Sequence, residues 1–116
     1  MLIEPGPFPK GRKVAVIAAR FNEEVTTRLL AGAVARLRER GIPVDAIDVV
    51  RVPGAFEIPA VAWRLASTGS YAAIVCLGAV IRGETPHFDY ICQAAARGIM
   101  SVSLETGIPA SFGVLT

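Results

Sequence analysis

A single histidine, His87, closes a loop rich in small residues, Gly78 to Thr85 (GAVIRGET), and opens a stretch with helical spacing. Imidazole titrates near neutrality, so a lone histidine at such a junction either serves structure or moves protons. Gly78, Gly83 and Thr85 allow close backbone approach, and a helix starting directly after them offers free N–H groups and the positive end of its dipole. This arrangement suits an anion such as a phosphate, and it equally suits an ordinary strand-to-helix connection. Arg82 either adds charge there or faces solvent. Two other segments carry candidate chemistry. Phe21, between Arg20 and Asn22, is a core plug or a surface on which a flat ring stacks. Glu57, next to the Pro53-Gly54 turn, either only initiates a helix or has a functional role. No Ser/His/Asp arrangement, Walker loop or dinucleotide GxGxxG is present.

These residues need elements to position them. Lys13 to Ala19 (KVAVIAA) reads as a buried parallel strand. A helix follows with Asn22 as its N-cap, Glu23 and Glu24 in its first turn, and Gly41 at its end. Val44 to Val50 is expected to be a second strand. The next helix is expected over Phe56 to Ser67, with Pro59 tolerated in its first turn. Ala72 to Leu77 is the most continuous apolar strand, hence the expected centre of the sheet. Phe88, Ile91, Ala95, Ile99 and Val102 keep helical spacing, which predicts one long helix from Pro86 or His87 to Gly107, the alternative being a separate strand at Ser101–Leu104. Phe112 to Thr116 reads as a last strand. Residues 1–12, with Pro5, Pro7 and Pro9, form an extended arm, and residues 13–116 a single α/β domain.

Alternating strands and helices imply a parallel sheet covered on both faces. The expected fold is a three-layer α/β sandwich with a four-stranded parallel sheet in flavodoxin-like strand order. In such sheets ligands bind beyond the carboxyl ends of the strands. Arg20–Asn22, Pro53–Glu57 and Gly78–His87 all arrive at that edge. Because the last strand ends at residue 116, a further covering helix is expected beyond it.

Composition narrows the function classes. Hydrophobic residues make up 53% of the 116 and charged residues 19%, enough for a real core, and the net charge is only +2. Arg36, Arg38 and Arg40 read as a solvated helix face, and nothing resembles a nucleic-acid module. A mean hydropathy of +0.50 points to apolar surface buried against other subunits. Cys76 and Cys92 lack metal-site spacing and read as reduced core thiols of a cytoplasmic protein. No signal peptide is apparent, and no apolar run reaches the length of a membrane span.

Five strings in order are more specific than any one of them: ARFN (19–22), PGAFEIP (53–59), GAVIRGETPHFDY (78–90), SLETGIP (103–109) and FGVLT (112–116). Together they resemble the lumazine synthases over nearly all of the chain after residue 12. The resemblance implies condensation of 5-amino-6-(ribitylamino)uracil with 3,4-dihydroxy-2-butanone 4-phosphate, giving 6,7-dimethyl-8-ribityllumazine, phosphate and water, with no metal or redox cofactor. It implies that Phe21 stacks on the pyrimidine, with Asn22 in the same loop. The Gly54 turn, the backbone of Ala55 and Phe56, and the Glu57 carboxylate would hold the ribityl chain. Val80 and Ile81 would meet the pyrimidine edge, and Gly83, Glu84 and Thr85 would form the phosphate pocket. His87 would shuttle protons, and Phe112 would reach the site of the neighbouring subunit in a homopentamer or a multiple of pentamers. Riboflavin synthase would be a further partner.

The resemblance also implies two more helices after the FGVLT strand, supplying a basic phosphate partner and a lysine in the neighbour's site. Two other readings compete. A non-catalytic flavin-binding or cage-forming relative would need neither His87 nor the phosphate loop. A flavodoxin- or receiver-like signalling domain would want an acidic cluster or a longer flavin-phosphate loop at the strand ends, and neither is found.

Overall fold

Seven residues of mostly small or β-branched type, Lys13–Ala19, form strand β1 and occupy an interior position of the sheet. Val14 through Ala19 are all at most 2% exposed, as a strand covered on both faces must be. The computed structural model describes residues 1–116. After β1 come helix α1 (Glu23–Glu39), strand β2 (Ile47–Val52), helix α2 (Ile58–Ala66), strand β3 (Tyr71–Ala79), helix α3 (His87–Thr106) and strand β4 (Ala110–Leu115). The sheet order is β2-β1-β3-β4 with every pairing parallel. This is the flavodoxin-like order expected from the alternation of elements.

The pleat of β1 separates two cores. Ala15, Ile17 and Ala19 face α2 and α3, packing with Ile58, Ala62, Ile74, Cys76, Ala95, Ile99 and Val102. Val14, Val16 and Ala18 face the other way, with Leu77, Ile42 and the half-buried Leu29, Leu30 and Leu37 of α1. One helix therefore covers one face and two cover the other. Small residues let α2 and α3 close on each other: a Cβ added at Gly98 would lie 2.5 Å from the Pro59 Cβ. Burial pushes the Cys76 thiol up to about 12, consistent with a packing role.

Several boundaries differ from expectation, each for a local reason. Val44–Ala46 form a 3-10 turn instead of strand, and pairing begins only at Val14 opposite Ile47. The second helix starts with a 3-10 turn at Ala55–Glu57, so that Pro59 falls at the second α-helical position, where no amide donor is needed. Asn22 is not a side-chain cap. It sits in the left-handed region (φ 57°), and its carbonyl, not its side chain, accepts from the amides of Val25 and Thr26. Asparagine tolerates that conformation, which turns the chain sharply out of β1. The long third helix runs as predicted and ends at Gly107, whose φ of 75° makes it a left-handed cap. Residues 1–12 contain no helix or strand, and Phe8 packs on the α1-side core.

At the amino edge, the Tyr71 hydroxyl donates to Asp48 Oδ2 at 2.7 Å, and Lys13 Nζ lies 3.4 Å from the same oxygen. This cluster ties together the starts of three strands, leaving the opposite edge for ligands. No helix is long and apolar enough to cross a membrane.

Candidate active site

Parallel strands in this register deliver their following loops to one edge: Ala19 pairs with Val52, Ala18 with Leu77, and Ala79 with Leu115. β1 hands the chain to α1 on one face, while β3 hands it to α3 on the other. The loops diverge between these neighbouring strands and leave a crevice. A cavity of about 570 Å³ lies there.

The loop after β1 is pinned to the loop after β2. The Arg20 amide donates to the Val52 carbonyl at 2.7 Å, and the Phe21 amide to that of Pro53 at 3.0 Å. Phe21 is thereby held at the cavity wall, and the residue is 54% exposed. Beside it, the Gly54 amide donates to Glu57 Oε1 at 2.9 Å and the Glu57 amide to the Gly54 carbonyl at 3.2 Å. This reciprocal pair fixes the half-buried carboxylate and leaves Oε2 without a partner in the chain.

The third wall is the loop from Val80 to Pro86 and the first turn of α3. The Val80 amide is anchored to the Leu115 carbonyl of β4 at 2.8 Å. None of the amides from Ile81 to Thr85 donates to another group of the chain, whereas the His87 amide reaches Thr85 Oγ1 at 3.4 Å. A row of free amides before a helix start is chemically an acceptor for anionic oxygens. His87 itself is exposed and lines the cavity opposite the loop of Phe21. Arg82 is exposed, and its guanidinium lies over a ring: its Cζ is 4.5 Å from the centroid of the buried Phe88.

Comparison with known proteins decides what this edge belongs to. The family model described as 6,7-dimethyl-8-ribityllumazine synthase matches residues 11–116. The chain belongs to the lumazine synthase family. It is 53% identical to the 6,7-dimethyl-8-ribityllumazine synthase of Desulfosudis oleivorans over 115 residues, covering 99% of this chain and 73% of that protein. The corresponding protein of Desulfatibacillum aliphaticivorans is 50% identical, with 99% and 74% covered. That of Salinibacter ruber is 52% identical over 106 residues, with 91% and 68% covered.

Of the residues that the lumazine synthase resemblance singles out, Phe21, Gly54, Ala55, Phe56, Glu57, Val80, Ile81 and His87 line the cavity together. Asn22, next to Phe21 in the chain, is half-buried and does not line the cavity, and Gly83, Glu84 and Thr85 lie on the exposed loop between Ile81 and His87. Phe112 does not join them. It lines a second, smaller cavity of about 320 Å³ with Ala96, Ile99, Met100, Ser103 and Ala110. The lining also includes Pro53 and Ala79, from the segments expected at this edge, and Phe88, Tyr90 and Ile91, which sequence reasoning did not assign to a site. Tyr90 and Ile91 follow His87 by three and four positions, so helical periodicity alone places them on its face. No group of three or more His, Cys, Asp or Glu side chains is placed to hold a metal ion.

Proposed function

We propose that this protein condenses 5-amino-6-(ribitylamino)uracil with 3,4-dihydroxy-2-butanone 4-phosphate to give 6,7-dimethyl-8-ribityllumazine, phosphate and water, the penultimate step of riboflavin synthesis. The observation that carries this is the union of Phe21, Glu57 and His87 around one cavity in a chain of this family.

In this reading the pyrimidine stacks on the Phe21 ring, with its edge against Val80 and Ile81. The ribityl hydroxyls meet the free Glu57 oxygen and the backbone of the Gly54–Phe56 turn. The phosphate sits on the free amides of Gly83, Glu84 and Thr85, and Asn22 binds from the same loop as Phe21. His87 accepts a proton from the amine as its nitrogen attacks the ketone, and returns it to the oxygen that leaves as water when the imine forms. The same imidazole serves again as phosphate departs and as the ribitylamino nitrogen closes the ring on the second carbonyl, whose oxygen leaves as a second water. The scheme rests on proton transfer and positioning and uses no metal or redox cofactor.

Oligomer formation belongs to the family. A homopentamer or a multiple of pentamers is the assembly proposed for this chain, with Phe112 reaching the neighbour's site. Support comes from the 51% exposure of Phe112 and from the exposed Met100 of α3, which lines the same small cavity. Riboflavin synthase, which would consume the product, is the proposed protein partner, and the cytoplasm the proposed compartment. The test is to mix the purified protein with both substrates and follow lumazine fluorescence together with phosphate release. Growth of both signals is expected; folded protein that forms no lumazine refutes the reading.

A further inference from the structure

We propose that Arg82 is a positioning residue, which holds the β3–α3 loop closed along the cavity by stacking on Phe88. Three observations support this. The Arg82 Cζ lies 4.5 Å from the Phe88 centroid. Phe88 is only 9% exposed, so the ring is a fixed platform. Arg82 directly follows Ile81, and Phe88 directly follows His87, and both of those predecessors line the cavity.

The stack therefore joins the two ends of the loop whose middle carries Gly83, Glu84 and Thr85. Little else holds that middle in place. The amides from Ile81 to Thr85 find no acceptor in the chain, and a Cβ at Gly83 would meet nothing within 4 Å. A loop without a backbone ladder samples many conformations unless side chains restrict it. The guanidinium on the ring face supplies that restriction, and at partly exposed sites such a pair shifts an equilibrium by roughly two- to fivefold. Arg82 thus spends its charge on the ring, keeping the free amides aligned with His87 and contacting no substrate itself.

The role in turnover rests on the reading under Proposed function, so the test has two arms on the full chain. In the first, trypsin cleavage after Arg82 is timed in wild type and in Phe88→Leu; cleavage roughly two- to fivefold faster in the variant is expected. An unchanged rate overturns the stack, whether or not the protein forms lumazine. In the second, kcat/KM for the sugar phosphate is compared across Arg82→Ala, Arg82→Gln and Arg82→Lys at unchanged melting temperature. A roughly two- to fivefold loss in the first two, with partial recovery in the lysine variant, is expected. Wild-type kinetics in Arg82→Gln would overturn the positioning role. The Arg82→Ala/Phe88→Leu double variant is expected to lose no more than the worse single variant. Losses that multiply would instead put Arg82 on the substrate and overturn the proposal.

Discussion

Phe21 and His87 line the same cavity although they leave different strands on opposite sides of the sheet, one at the end of β1 and the other after β3. Their meeting follows from strand order, since β1 and β3 are neighbours and their helices leave on opposite faces. The first consequence concerns His87. Its substitution by alanine should lower kcat about 10²-fold, the low end of general acid–base contributions. The residue is exposed, so melting temperature should not change. Wild-type turnover in this variant would remove His87 from the chemistry.

A second prediction concerns Phe112, which does not line the cavity of its own subunit. If it completes a neighbour's site, His87→Ala and Phe112→Ala subunits fail for different reasons. Unfolding and reassembling a mixture then creates some sites with both residues intact. Activity above the average of the two parents is expected, and activity at that average would contradict the shared site.

The fold was legible wherever burial dictates residue type. KVAVIAA is covered on both faces and left no alternative to an interior strand, and the spacing from Phe88 to Val102 marked α3 to its glycine cap. What was not legible depends on geometry between elements. Asn22 has the right type for a side-chain cap, yet the tight exit from β1 puts its backbone, not its amide group, in that role. Val44–Ala46 are apolar enough for a strand but have no partner beside them. Ile91 was hidden in a helical pattern read as core, and Tyr90 beside it was given no role, although their spacing from His87 carried the signal.

Third, the α2–α3 contact makes a stability prediction. Gly98→Ala gains about 1 kcal/mol of helix propensity. Against this, the new Cβ would lie 2.5 and 2.6 Å from two carbons of the rigid Pro59 ring. Overpacking of this kind costs up to about 3 kcal/mol, so a net loss of about 2 kcal/mol is expected by urea denaturation. Increased stability would show that the helices separate freely.

Fourth, the Tyr71–Asp48–Lys13 cluster makes stability depend on pH. The Tyr71 hydroxyl, and after it the Lys13 ammonium, hold the Asp48 carboxyl below its ordinary 3.8. The same bond to Asp48, with burial, pushes Tyr71 above its ordinary 10.0. The depressed carboxyl contributes stability fully above the unfolded value, and loses it as pH falls through the folded one. The raised phenol contributes fully below its unfolded value, and loses it as pH rises through the folded one. Tyr71→Phe should therefore cost about 1 kcal/mol near pH 7, with a smaller penalty in acid and in strong alkali. A penalty independent of pH would show that the pair contributes nothing through its charge.

The central claim is that this cavity receives the pyrimidine on the Phe21 ring. It is tested most directly by calorimetric titration of 5-amino-6-(ribitylamino)uracil into wild-type protein and into Phe21→Ala. Loss of an aromatic stack costs about 0.5–1.5 kcal/mol beyond the area it buries, so binding weaker by roughly tenfold is expected in the variant. Equal affinity in the two proteins would contradict the account.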